Sequence, residues 1–196
     1  LPEYAQPVYL DDSLLQTPAL AIERIRLEAV RLGGYVDQLI EMARPVVLGG
    51  GSYDLDRIVS RGEELRRLHD AITDYARRLL SSEVTSDETR RLEALMTVIV
   101  NLDHVAETIT VNIVSIVMDR LERRFTLSKE TIARFQPYAS KVREAYLLAI
   151  KALDTKDAEA AAAVMEMKAE IDRMSQEMVE HLSLRLLSDD PDRAVL

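Results

Sequence analysis

Three side chains able to do chemistry stand together in NLDHVAETITVNI, residues 101 to 113: Asp103, His104 and Glu107. They interrupt a run that otherwise wants to be dry, LMTVIVNLDHVAETITVNIVSIVM. A carboxylate in apolar surroundings is costly unless a metal, a cation or a buried ion pair meets it. On a helix, a spacing of four puts Asp103 and Glu107 on one face, the geometry two oxygen ligands need to share a cation. His104 is a further candidate ligand, although a lone histidine in such a place is more often a hydrogen-bonded core or boundary residue.

Other chemistries lack their parts. There is no cysteine, hence no disulfide, thiol chemistry or thiolate metal site. Glycines 49 to 51 are not followed by the Lys-Ser/Thr of a phosphate-binding loop and read as a turn. A ferritin-like carboxylate oxidase needs Glu-x-x-His on two helices, and that pattern does not occur. His69 and His181 have no partner at ligand spacing and read as ordinary surface positions, and no nucleophile–base pair stands out, so the chain reads as a non-enzyme. Met165, Met167, Met174 and Met178 read as adaptable core.

The elements that must position Asp103 and Glu107 are helical. Apolar residues make up 47% of the 196 positions and charged residues 30%, with six glycines, two phenylalanines and no tryptophan. Such usage predicts an all-α chain of one large or two small domains. A net charge of −9 argues against a nucleic-acid partner held through phosphates and against an anionic membrane surface. No uninterrupted apolar stretch reaches the roughly 20 residues of a membrane span; the central run comes closest. The chain opens on Leu-Pro-Glu-Tyr rather than methionine, as a piece of something longer would.

Residues 1 to 17 carry prolines and no helical period, which predicts an extended strap pinned by Tyr4, Tyr9, Leu10, Leu14 and Leu15. Thr17-Pro18 opens a first helix with Ile22, Ile25, Ala29, Leu32, Val36, Leu39, Ile40 and Ala43 inward, ended by Pro45 or the glycines. Asp54 caps a second, with Leu55, Ile58, Leu65, Leu68, Ile72, Tyr75 and Leu79 buried. Thr85 and Glu88 form a capping box for a third helix to about Arg124, roughly 58 Å long at 1.5 Å per residue. Apolar nearly all round from Leu95 to Met118, it is expected to be the most enclosed member. A fourth helix starts at Thr126 or Ser128, where Pro137 should kink or split it. Asp157 caps a fifth, which runs to about Leu187, and Asp190-Pro191 looks like the start of a sixth.

An internal repeat underlies this order. A shift of about 106 residues lays Val36 on Val142, Ala43 on Ala149, Leu65 on Ile171 and Leu68 on Met174. The third helix starts near 86, so its counterpart should start near 192, where a helix start is found. The expected architecture is two tandem antiparallel three-helix bundles, residues 18–125 and 126–196, with the last helix missing or truncated.

NLDHVAETITVNIV resembles the helix signature of the PhoU family. PVYLDDSLLQTPALAIERIRLEAVRLG resembles the junction after the membrane part of bacterial sodium-dependent phosphate cotransporters, which carry a PhoU-like domain at their C-terminal end. EELRRLHDAI and ALDTKDAEAAAAVMEMKAEIDRM resemble their second and fifth helices. The resemblance implies a regulatory domain on the cytoplasmic face of the plasma membrane that modulates phosphate uptake or signals phosphate status. Its implied partners are the membrane transport domain of the same polypeptide, a phosphate-signalling protein and a second copy. It also implies acidic metal motifs, with a divalent or transition metal at Asp103 and Glu107. The second helix departs from the pattern, having Gly62 and Arg66 where an acidic pair would fall, and the fifth has Lys168 and Asp172. Arg66 could instead reach Asp103 or Glu107 as an ion pair, so metal and ion pair both stand. A rival reading is a structural or signalling bundle acting through protein–protein contacts, unrelated to phosphate.

Overall fold

A computed structural model describes residues 6–49, 55–124 and 126–187. Its elements are helices: a 3-10 turn over Asp12–Gln16, α1 (Pro18–Val47), α2 (Leu55–Leu80), α3 (Ser86–Glu107), a π-helical segment (Thr108–Ile113), α4 (Val114–Glu122), α5 (Lys129–Thr155) and α6 (Ala158–Leu187). The fold is all-α, as composition and periodicity predict. Expectations for Tyr4, Asp54 and the helix start at Asp190-Pro191 fall outside the described residues.

Each helix begins where local chemistry lets it. The Thr17 carbonyl accepts from the amides of Leu20 and Ala21, with Pro18 at the first position, where no N–H is needed. The capping box forms at Thr85 and Glu88. Ser128 Oγ accepts from Thr131 N at 3.1 Å, and Asp157 Oδ1 accepts from Glu159 N and Ala160 N. Of the two stops expected for α1, the glycines prevail: the helix passes through Pro45, and Gly49 turns away at φ +106°. Arg120 covers the exposed end, donating to the carbonyls of Val47 and Val46 at 2.6 and 2.7 Å. Pro137 does not split α5, which is continuous from Lys129 to Thr155.

The described residues form two compact units. The first holds the strap, α1 through Ala43, α2, and the long rod through Val114; the second holds the end of α1 from Arg44, and the chain from Ser115 onward. The division between these compact units thus falls inside the rod. In the first unit the α2 stripe is buried at all seven expected positions, and the α1 stripe at all but the half-buried Ile40.

The rod differs from expectation in two ways. It is not enclosed all round: Leu92, Leu95, Ile99, Leu102, Ala106 and Ile109 make one buried stripe, while Val100 and Val111 are each 55% exposed. A helix laid on a two-helix hairpin is covered on one side only, and apolar residues elsewhere on its circumference face out. It is also not uniformly α-helical, because one π-helical segment interrupts it. By length and composition alone the rod, Ser86–Glu122, is long and apolar enough to cross a membrane.

Candidate functional site

Asp103 and Glu107 do share a face of α3, and that face meets α2. Arg66 Nη1 stands 3.9 Å from Asp103 Oδ2, and Arg66 Nη2 3.7 Å from Glu107 Oε1. One guanidinium thus spans both carboxylates, beyond hydrogen-bond length in each case. The three groups are unequally wet, with Asp103 18% exposed, Glu107 49% and Arg66 51%. Water therefore screens the triad, and such pairs contribute at most about 1 kcal/mol. His104 is exposed and contributes its backbone, the carbonyl accepting from Thr108 Oγ1 at 2.8 Å.

A metal fits this arrangement poorly. Zinc takes three or four protein ligands and calcium six to eight oxygens. Among the described residues no three His, Cys, Asp or Glu side chains converge on one point. Here two carboxylates are joined by a cation, which would repel an ion placed between them.

One turn away the helices come closer still. A Cβ placed on Gly62 would lie 2.3 Å from Thr110 Cγ2, so α2 and the π-helical segment approach to a distance only glycine allows. Thr110 Oγ1 donates to the Ala106 carbonyl at 2.9 Å. In a π turn the bonding shifts from i+4 to i+5, and this hydroxyl serves a carbonyl in the disturbed stretch. Gly62, which read only as a departure from an acidic motif, therefore has a physical role: it sets the spacing at which Arg66 faces α3.

Sequence reasoning missed the most buried charge in the first unit. The Glu28 side chain has no exposure, and its Oε2 accepts from the backbone amides of Val8 at 2.9 Å and Tyr9 at 2.8 Å. Arg31 pairs with Glu28 and also donates to the Gln6 carbonyl at 2.7 Å. Further along, Tyr75 Oη donates to the Asp11 carbonyl at 2.7 Å, and Arg78 pairs with Asp12 at 2.7 Å. The strap is thus held mainly by its backbone. Tyr9, expected to pin it, is exposed, and Leu10, Leu14 and Leu15 are only half-buried. A signal was present: Glu28 falls three residues after Ile25 and four before Leu32, an acid in the middle of an apolar stripe.

Electrostatics follow these contacts. Burial pushes the Tyr75 phenol above its ordinary value. Burial opposes the charge on Arg31, yet its bonds to Glu28 and Tyr35 leave it raised. The hydrogen bond from Arg78 holds Asp12 below the usual carboxylate range. Tyr35 lies between two guanidiniums, Arg31 at 5.2 Å and Arg61 at 5.1 Å.

In the second unit, Lys168 and Asp172 are exposed and Met165 is exposed too, while Met167, Met174 and Met178 are half-buried along α6. Lys141 bridges the hairpin to Glu170 at 3.1 Å, a bond that raises the lysine above its ordinary value. His181 Nδ1 stands 3.9 Å from Glu130 Oε1, and its Nε2 is buried without a hydrogen-bond partner.

Comparison with known proteins bears on this second unit first. The family model for the PhoU domain matches residues 135–195. The chain is 27% identical over 109 residues to the "Putative inorganic phosphate export protein YjbB" of Salmonella typhimurium, covering 56% of this chain and 20% of that protein. It is 26% identical over 104 residues to the protein of the same name in Escherichia coli K12, covering 53% and 19%. The chain therefore spans about a fifth of the length of these curated relatives. No solved structure matches. Through residues 135–195 the chain is PhoU-like, and it is distantly similar to proteins named for phosphate export.

Proposed function

We propose that this chain is the regulatory, non-catalytic PhoU-like part of a phosphate transporter, one coupled to sodium, and that it adjusts transport or reports phosphate status. The observation that carries the reading is the PhoU match on the α5–α6 hairpin, joined to two relatives whose printed names concern inorganic phosphate. The relatives' names speak of export and the resemblance of the N-terminal segment speaks of uptake; a regulatory domain serves either direction. In this reading the domain lies at the cytoplasmic face beside the membrane part of its own polypeptide, and the rod is a bundle helix. Asp103 and Glu107 at its middle support that, since charges are costly within a bilayer. Arg66, rather than a metal, is the partner of these two acids.

The test has two arms. Phosphate flux through the whole parent protein in vesicles, with and without a sodium gradient and with this domain deleted, should depend on both. Flux indifferent to deletion removes the regulatory role, and flux indifferent to sodium removes the coupling. Metal analysis of the purified chain should find no stoichiometric ion; a transition metal that is lost on Asp103→Ala would replace the ion pair.

A further inference from the structure

The two hairpins keep a common register. Adding 106 to α1 and α2 lays them on α5 and α6, and the buried Ile25 and Leu39 fall on the buried Thr131 and Ala145. In that register Glu28 becomes Arg134, Arg31 becomes Pro137, Leu68 becomes Met174, Ile72 becomes Met178 and Tyr75 becomes His181. In the first unit, the polar members of this set are the ones that hold the strap.

In the second unit the same positions surround open space. Arg134, Pro137, Tyr138, Met174, Glu177 and Met178 line a cleft of about 210 Å³. One turn beyond Met178, the buried Nε2 of His181 has no partner, where Tyr75 Oη has a strap carbonyl. Among the described residues the positions equivalent to the strap do not form one: residues 6 to 12 shift onto 112 to 118, which are helical.

We propose that this cleft is a second strap site, which takes an extended segment of a partner polypeptide bearing an apolar side chain and a carboxylate. The shape of the occupant follows from what fills the equivalent place in the first unit. Its chemistry follows from the substitutions. Glu28 receives amides, whereas Arg134 offers donors, so the sign of the partner group reverses. Arg134 is 55% exposed and held by Glu130 on its own helix, a surface pair that exchanges at little cost. The acid on the occupant must lie toward Arg134 and away from Glu177. Met174 and Met178 supply unbranched, adaptable walls for the apolar side chain. The site does not depend on the phosphate reading.

The probe is a peptide of the strap sequence, QPVYLDDSLLQT, an extended segment with apolar and acidic residues; a second peptide has both aspartates changed to asparagine. Titrated into the full chain, the first should shift the methyl signals of Met174 and Met178 and leave Met96 and Met118 in place. Arg134→Glu, or the asparagine peptide, should weaken binding at least about tenfold, with the Val8 and Tyr9 amide signals of the chain unmoved by the peptide. The melting temperature of Arg134→Glu should match the parent, since the side chain is at the surface. No shift at millimolar peptide, or shifts insensitive to Arg134→Glu, would overturn the proposal. So would peptide-induced shifts at the Val8 and Tyr9 amides, which would mean exchange with the strap of the first unit. Self-association of the chain abolished by Arg134→Glu, without binding of free peptide, would give the cleft to a second copy instead.

Discussion

Gly62→Ala sets two well-defined forces against each other. In a helix interior, alanine is favoured over glycine by about 1 kcal/mol, because less backbone freedom is lost on folding. Against that, the new Cβ would meet Thr110 Cγ2 at 2.3 Å, Cβ at 3.1 Å and Oγ1 at 3.2 Å. The first contact is short of ordinary carbon–carbon separation by more than about 1 Å. Thr110 cannot swing away freely: it is β-branched, and its hydroxyl is bonded to the Ala106 carbonyl, a bond whose loss costs about 1 kcal/mol. Relief must then come from moving α2, an overpacking cost of about 1–3 kcal/mol. The steric side wins, with a net loss of about 1–2 kcal/mol, or several degrees in melting temperature.

Urea unfolding followed at the Met96 methyl on α3 reads the first unit directly, which avoids assuming that both units unfold together. Thr110→Ser supplies the control, since it removes Cγ2 and keeps the hydroxyl. In the double variant much of the penalty should vanish, giving a coupling of about 1 kcal/mol between the two positions. A more stable Gly62→Ala, or a penalty unchanged by Thr110→Ser, would refute the close approach and with it the seam that sets Arg66 against α3.

Glu28→Ala should cost about 1–3 kcal/mol, with hydrogen-exchange protection lost at the Val8 and Tyr9 amides and kept at Leu32; protection kept at all three would mean the strap is held by other means. Arg66→Ala and Asp103→Ala should each change stability by less than about 1 kcal/mol, measured by the same urea titration, because the pairs are long and wet. In acid, the bonds from Thr85 that depress Glu88, and from Arg78 that depress Asp12, contribute above the ordinary values of 4.5 and 3.8 and are lost as pH falls through the depressed ones. In alkali, Tyr75, raised by burial, and Lys141, raised by Glu170, contribute below 10.0 and 10.5 and lose that contribution as pH rises through the raised values. Melting temperature against pH should therefore be flat near neutrality and fall on both sides, and a Glu88→Gln, Asp12→Asn pair of changes should blunt the acid fall. Thr85→Ala should cost about 1 kcal/mol in thermal melts through loss of the α3 cap.

What the sequence made legible was whatever depends on local periodicity and capping. The α1 and α2 stripes, the Thr85–Glu88 box, Ser128 and Asp157 all follow from spacing and from side chains that act on their own helix. What it concealed depends on approach between elements. The π-helical segment has no period of its own, and it is legible only once Thr110 is seen against Gly62. Val100 and Val111 look like core because hydrophobicity says nothing about which side of a rod another helix will cover. Tyrosines and leucines look like the hold on the strap because apolar side chains announce themselves, whereas backbone amides bonded to a distant carboxylate leave no mark near the strap. For the candidate site, the shared face of Asp103 and Glu107 was readable from their spacing. That one arginine spans both required coordinates.

Among the described residues the two hairpins also differ in cover. Val36 is fully buried and its counterpart Val142 is 38% exposed; Ala43 is buried and Ala149 exposed; Leu68 is buried and Met174 only half so. Equivalent positions in equivalent helices thus differ in cover. The first unit has α3, whose Leu92, Leu95, Ile99 and Leu102 form a buried stripe, and no described helix of that length stands in the same place after α6. The residue types have diverged at two of these core positions: in the shared register Leu68 and Ile72 of α2 become Met174 and Met178 of α6, while Ile58 and Leu65 become Val164 and Ile171. Branched side chains suit a packing arrangement that never changes, and unbranched ones suit a surface that must meet its neighbour and part from it. A regulatory domain needs both, one part that keeps its shape and one that responds, because coupling requires an element with two arrangements of different affinity for a ligand. In the regulatory reading proposed above, the α5–α6 cleft with Met174 and Met178 on its wall is where such an element is to be sought.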